Sequence, residues 1–224
     1  MAKLVFNGVG ERLFETGVKN GVLYVMSDGN TYGNGVVWNG LTGVTEKPTG
    51  AEATNLYADD VKYVVIQGAE EFEATIEAYT YPEEFEACDG SAALVEGVNV
   101  GQQERKTFAF CYKTSLGNDT QGQTFGYKLH IIYGCKAKPS EKSYATINDS
   151  PEAVTFSWDV STVPVPVEGM NPTATVVIDS TRMDKGKLKL IEDKLYGTES
   201  AEPTLPLPDE IKALLQYPKN TSPA

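Results

Sequence analysis

Glu71, Glu73 and Glu77 stand on one side of an alternating run, Glu71-Phe72-Glu73-Ala74-Thr75-Ile76-Glu77-Ala78-Tyr79. Successive side chains of a strand point to opposite faces, so Thr75 and Tyr79 join the three carboxylates, while Phe72, Ala74, Ile76 and Ala78 share the other side. Paired carboxylates are the equipment of glycoside hydrolysis, and Glu83-Glu84 adds further acid nearby. Residues that share one open face, however, lack the distinct environments that separate the two pKa values such a pair needs. The run holds no basic residue, and a row of like charge is tolerable only where water or a wide channel screens it. The expected role is collective: an acidic stripe faces a solvent-filled space while the apolar side packs on a core.

The remaining chemistry-bearing residues are sparse. His130 is the one histidine of the chain and lies in a strand-like run, opposite in phase to Leu129 and Ile131. Such a residue reads as hydrogen-bonded structure or surface, with no acidic partner or nucleophile elbow near it in sequence. Cys88, Cys111 and Cys135 fit no zinc or redox spacing and read as buried thiols. Asp59-Asp60 lacks the spaced ligands of a calcium loop and reads as an exposed loop or helix cap. No glycine-rich motif precedes a helix as a phosphate site would require. No cofactor, metal or catalytic residue is therefore expected, and the chain is not expected to be an enzyme.

Charge narrows the partners. With 31 acidic against 19 basic residues and a formal net charge of -12, the chain is ill suited to bind a nucleic-acid backbone, which requires displacement of counterions by Lys and Arg. The N-terminus has too short an apolar stretch for a signal-peptide core, and no run approaches the roughly 20 apolar residues of a membrane helix, so synthesis in the cytoplasm without membrane association is expected.

The elements that position these residues are mostly strands. Apolar or alternating runs occur at 22–26, 35–41, 61–66, 70–79, 106–113, 126–136, 154–160 and 174–178, with turn residues such as Ser27-Asp28-Gly29-Asn30 between them. Trp158 shares a face with Val154, Phe156 and Val160, which places it in a core. Helices are expected at 81–90, 184–196 and 208–216; Gly197 stops the second, and the proline-rich 202–208 precedes the third. Residues 43–60 and 116–124 read as long loops. The fold class is all-β with minor α: a β-sandwich or half-barrel of about eight strands, with a flanking short helix and a C-terminal arm. The expected division is a sandwich domain over 1–180 and, over 181–224, a helix, proline-rich linker and arm that ends in a polar tail.

Four segments together resemble the major tail proteins, or tail tube proteins, of long-tailed phages with non-contractile tails. They are Thr16-Gly17-Val18-Lys19-Asn20 before a tyrosine-containing strand; Tyr32 to Val36 followed by Trp38 to Glu46; Leu56 to Tyr63; and Phe72 to Phe85. The likeness covers roughly residues 14–180 and is clearest in the first half. It implies a structural virion protein made in the host bacterial cytoplasm. It further implies hexameric rings stacked into a hollow tube, the inner sheets of six subunits forming a continuous barrel around the lumen. Implied partners are other copies of the chain and tail proteins such as the tape measure and terminator, with DNA passing without specific binding. On this reading Glu71, Glu73, Thr75 and Glu77 line the lumen. A loop bearing Glu46, Lys47, Asn55, Tyr57, Asp59 and Asp60 reaches a neighbouring subunit. The alternative is a monomeric sandwich that binds carbohydrate through exposed aromatics on a secreted or surface protein; a hydrolase with two carboxylates in a cleft is a weaker one.

Overall fold

A computed structural model of the protein describes residues 4–27, 31–147, 149 and 152–216. Most of the turn cluster at 27–30 and the polar tail beyond 216 lie outside the described residues. Twelve strands are present among the described residues: β1 Leu13–Met26, β2 Tyr32–Trp38, β3 Leu41–Gly50, β4 Ala53–Ala58, β5 Val61–Gln67, β6 Glu70–Ala78, β7 Ala92–Val95, β8 Val98–Val100, β9 Phe108–Asn118, β10 Gly122–Ala137, β11 Phe156–Thr162 and β12 Thr175–Asp179. A turn of 3-10 helix at Glu83–Phe85 leads into the short α1, Glu86–Asp89, and α2, Lys185–Tyr196, and α3, Pro208–Gln216, follow the strands. Eight strands form one antiparallel sheet in the order β2-β1-β9-β10-β11-β6-β3, with β12 also paired to β10.

That sheet is bent at β10. The strand pairs with β12 through Lys128 to Ile132, then with β11 only through Cys135, Lys136 and Ala137. Gly134 lies between the two stretches with φ +60°, and a Cβ there would meet the Val163 carbonyl oxygen at 2.1 Å. Only glycine allows both the left-handed backbone and the close approach. Beyond the bend, β11, β6 and β3 fold back over β1, β9 and β10, giving the half-barrel expected from the sequence.

Two apolar layers result. Between the halves of the sheet lie Leu23, Phe108, Phe110, Tyr112 and Ile132 on one side and Ala74, Ile76, Ala78, Trp158 and Val160 on the other. Trp38, Phe85 and Trp158 form a cluster with ring centroids 4.5–5.5 Å apart in tilted or edge arrangements, and the Trp38 indole N–H donates to the Thr80 carbonyl at 2.8 Å. Burial of rings this large contributes more than any other single feature, with roughly 0.5–1.5 kcal/mol per ring pair beyond the area term. Both tryptophans are thus in the core and supply no exposed aromatic face for a sugar.

The second layer covers the other side of β1, β9 and β10. Val22, Tyr24, Ala109, Cys111, Leu129, Ile131, Tyr133 and Ile178 pack against Leu188, Ile191 and Leu195 of α2, Leu205 of the proline-rich segment and Ile211 of α3. The Asp184 side chain caps α2 by accepting from the backbone N–H groups of Gly186 and Lys187. Tyr24 donates to the Leu195 carbonyl at 2.5 Å, Tyr133 to the Pro206 carbonyl at 2.9 Å, and Lys113 pairs with Glu192 at 2.6 Å. A boundary at 180 therefore divides the chain but not the core: residues 185–211 are the third layer, not an arm beside it. The reason is that β9 and β10 are apolar on both faces and the second face needs a cover.

Two segments read as loops are strands. Residues 41–50 form β3, paired along its length with β6, and Asn118 and Gly122 are already paired across a tight connection between β9 and β10. Burial also fixes the three thiols. Cys88, Cys111 and Cys135 are free and buried, and desolvation pushes Cys88 and Cys111 up to about 12, far above a reactive range. Ile191 is fully buried under the sheet; Ile191→Ala is expected to destabilise the chain by about 2–5 kcal/mol. Truncation after Gly197, which removes Leu205 and Ile211, is expected to lower the midpoint of the single unfolding transition. Urea denaturation followed by tryptophan fluorescence checks both.

Candidate assembly surfaces

Strand β6 realises the expected alternation. Ala74, Ile76 and Ala78 are buried, Glu71 and Glu77 are exposed, and Glu73 and Thr75 are partly covered. The covering comes from neighbouring strands that the local sequence does not reveal. Lys47 on β3 stands opposite Glu73, and Asp159 on β11 stands opposite Thr75. Lys138 pairs with Glu73 at 2.5 Å, Lys47 lies 3.4 Å from Asp159, and the Thr75 hydroxyl donates to Asp159. That hydroxyl, with Lys47 and Lys138, holds the Asp159 carboxyl below its usual range. The outer face of β3, β6 and β11 is therefore mixed: four carboxylates, Glu71, Glu73, Glu77 and Asp159, are interleaved with the amines of Lys47 and Lys138. The expected unbroken acidic row is corrected in that respect, because sheet pairing brings in cations from positions remote in sequence. Each of these partly exposed pairs is worth about 0–1 kcal/mol, so they set the potential of the face more than its stability.

The six residues expected on a reaching loop separate into two groups. Asn55, Tyr57, Asp59 and Asp60 lie on a hairpin made by β4 and β5. Asp59 and Asp60 form its two-residue turn with φ of +51° and +61°, the left-handed pair that suits the twist of a tight hairpin and that Asp tolerates. The hairpin continues the β3–β6 ribbon past a kink where Gly50 and Ala51 take φ of +79° and +57°. All of its thirteen strand residues are exposed, including Leu56, Tyr57, Val61, Tyr63, Val64, Val65 and Ile66. Glu46 and Lys47 belong instead to β3. Lys47 faces outward as described, whereas Glu46 stands opposite the buried Ala74 and points inward; neither is part of a reaching loop.

Glu46 enters a polar cluster that local sequence could not disclose. It lies at the mouth between the two halves of the sheet, beside a cavity of about 450 Å³ lined by Glu15, Gly17, Thr42, Gly43, Glu46, Tyr112, Thr114 and His130. Tyr112 donates to Glu46 Oε1 at 2.7 Å and stacks on the His130 ring with centroids 4.6 Å apart. His130 Nε2 is 3.4 Å from Glu15 Oε1 and 3.0 Å from the Thr114 hydroxyl, and Nδ1 is 3.4 Å from Glu46 Oε1 without an aligned hydrogen bond. Thr114 donates to Glu15 Oε1, and Lys128 pairs with Glu15 Oε2 at 2.6 Å. The His130 ring and then the Tyr112 hydroxyl hold the Glu46 carboxyl below its usual range against the pull of burial. For Glu15, burial works upward, and hydrogen bonds from Lys128 and Thr114 overcome it, leaving that carboxyl low too. No group of three or more side chains suited to hold a metal ion is present among the described residues. No described helix is long and apolar enough to cross a membrane.

No protein-family profile matches the sequence, and no curated protein matches it. Among solved structures, the chain is similar to a chain of the sheath-tube complex of PVC, an extracellular contractile injection system, in its extended state. The identity is 10%, the match spans 78% of this chain and 94% of that one, and the TM-score is 0.37. A likeness of that degree decides nothing about function.

Because Glu15 and Glu46 have lowered pKa values in the folded chain, their interactions stabilise it above the ordinary carboxylate range and are lost as pH falls through the lowered values. Stability is expected to decline on acidification below about pH 4.5. Glu46→Gln is expected to flatten that decline, as read from urea midpoints across the acid limb.

Proposed function

We propose that the chain is a structural tail protein: a tube subunit that polymerises with copies of itself as stacked hexameric rings and conducts a phage genome through the lumen. The observation that carries this reading is the β4–β5 hairpin. A two-stranded ribbon is marginal in water by itself, yet this one carries Leu56, Tyr57, Val61, Tyr63, Val64, Val65 and Ile66 in exposed positions. An apolar ribbon of this kind marks a protein contact, and its open edges can add to a neighbour's sheet. The hairpin coincides with one of the segments that resemble tail tube proteins, Leu56 to Tyr63. Restriction to non-contractile tails rests on that resemblance alone. On this reading the chain is not an enzyme, resides in the virion tail and meets other tail proteins at the tube ends.

The outer face of β3, β6 and β11 is the surface assigned to the lumen. No element among the described residues packs over it, and its carboxylates outnumber its amines, so a polyanion gains nothing by adhering there. Two experiments test the reading. Replacement of residues 53–67 by a short glycine-serine turn removes the hairpin and leaves β3 and β6 whole. Negative-stain microscopy and light scattering should show tubes or rings for the unaltered chain and a folded monomer for the variant; tubes from the variant would reject the hairpin's role. Substitution of Glu71, Glu73 and Glu77 together by Lys should leave the fold intact, since the opposite side of β6 holds the core. The resulting assemblies should bind DNA at low salt and release it as salt rises. Failure to bind DNA would remove this face from the lumen.

A further inference from the structure

One corner of the sheet is basic in a chain that is otherwise acidic. A cavity of about 300 Å³ opens where β1 ends and β9 begins, and Ser27, Glu104, Arg105, Lys106, Thr107 and Lys136 line it. Lysines elsewhere find carboxylates within the chain, as Lys113, Lys128, Lys138 and Lys142 do. The side chains of Arg105 and Lys136 make no hydrogen bond or ion pair among the described residues. Arg105 Nε is buried without an acceptor, which is costly for a charged donor. Its guanidinium is seated against Gly90, where a Cβ would lie 3.0 Å from Cζ. A guanidinium fixed in this way is suited to capture a carboxylate through paired hydrogen bonds. A second cavity, of about 600 Å³, shares Met26 and Thr107 with the first, and its walls include Val163, Pro164, Leu205 and Leu207.

We propose that this corner receives the β4–β5 hairpin of the next copy in the ring: the turn carboxylates Asp59 and Asp60 meet Arg105 and Lys136, and the apolar strands behind the turn cover the adjoining cavity. The contact rests on the tube reading above and supplies the receiving surface that reading requires. A head-to-tail ring needs two different patches on every copy. The hairpin leaves from β3 and β6, at one end of the strand order, whereas the corner is built on β1, β9 and β10, toward the other. The two are nevertheless level. The Phe72 carbonyl, near the hairpin's root, accepts from Thr162; Thr162 pairs with Cys135, Cys135 with Phe108, and Phe108 with Val25, one residue before Met26. In a ring whose axis follows the strands, such a row stays at one height, and the next copy presents its corner level with the hairpin's root. The order of properties matches as well. The hairpin is acidic at its turn and apolar along Leu56, Tyr57, Tyr63 and Val64, with Lys62 as its one cation; the receiving side is basic and then apolar. Asp59 and Asp60 are exposed, and neither carboxylate is engaged among the described residues. A nucleic-acid phosphate would match the cations but would leave the apolar walls beside them uncovered.

Charge reversal on the two sides tests the contact. A turn variant carries Asp59→Lys and Asp60→Lys; a corner variant carries Arg105→Glu and Lys136→Glu. Each alone sets like charges against one another and is expected to weaken association at least about tenfold, as read by light scattering and negative-stain microscopy. Mixed in equal amounts, the two should assemble again, because in an alternating ring every reversed turn meets a reversed corner and every native turn a native one. Asp59→Asn with Asp60→Asn, which keeps residues that tolerate the left-handed turn, should weaken association without reversing the charge. Near-ultraviolet circular dichroism establishes that each variant is folded, and Lys136→Glu alone, at an exposed position, serves as a milder corner variant. An unaltered chain that stays monomeric removes the tube reading and the contact with it. Rings from the unaltered chain accompanied by rings from either reversed variant alone, or no recovery on mixing, overturn the contact and leave the tube reading standing. Duplex DNA binding that the corner variant loses while it still assembles assigns the corner to a phosphate backbone and likewise overturns the contact.

Discussion

Strands β9 and β10 are buried on both faces, and the rest of the chain is arranged by what must cover them. Phe108, Phe110, Tyr112 and Ile132 look one way; Ala109, Cys111, Leu129, Ile131 and Tyr133 look the other. Neither side can face water without exposing several large side chains, each worth about 1.5–3 kcal/mol. One side is met by the sheet folding back on itself at Gly134. The other is met by α2, the proline-rich segment and α3. The tyrosines in these layers show why the cover must be positioned and not merely apolar. Tyr24 and Tyr133 each need an acceptor for a buried hydroxyl, and each finds a backbone carbonyl in the C-terminal segment.

What was legible in the sequence was whatever two-residue alternation could carry. The burial of Ala74, Ile76 and Ala78 and the core placement of Trp158 followed from local pattern, as did the ends of α2 at Asp184 and Gly197. Strand β3 was not legible, because Glu46-Lys47-Pro48-Thr49-Gly50 has the composition of a loop. It is tolerated in a sheet because β3 is an edge, where Pro48 need not supply a ladder donor. The docking of the C-terminal helices was hidden for a different reason. The helical spacing of Leu188, Ile191 and Leu195 announces an apolar stripe but not its partner. That partner is the second face of β9 and β10: the alternation at 106–113 and 126–136 marks one face of each strand and does not show that the other is covered as well.

The polar sites show the same limit more sharply. His130 looked isolated because its partners arrive from β1, β3 and β9, and only the bend at Gly134 brings β3 across. The acidic stripe looked unbroken because Lys47 and Lys138 arrive by pairing and by chain reversal. In both cases the local sequence shows the residue and not its electrostatic environment, since environment is a property of the sheet and not of the strand.

In the proposed assembly the two surfaces play different parts. The outer face of β3, β6 and β11 is polar, with its pairs already satisfied within the subunit. Closing a protein surface over Glu73–Lys138 and Lys47–Asp159 would desolvate both pairs for little return. The face is thus suited to remain in water, which a lumen provides and a subunit interface does not. The β4–β5 ribbon is the opposite case: its apolar side chains and its backbone edges both lack partners among the described residues. One ribbon therefore carries both properties, since β3 and β6 continue into β4 and β5 through the kink at Gly50 and Ala51. The kink turns the chain from a stretch that must stay hydrated to a stretch that gains from being covered.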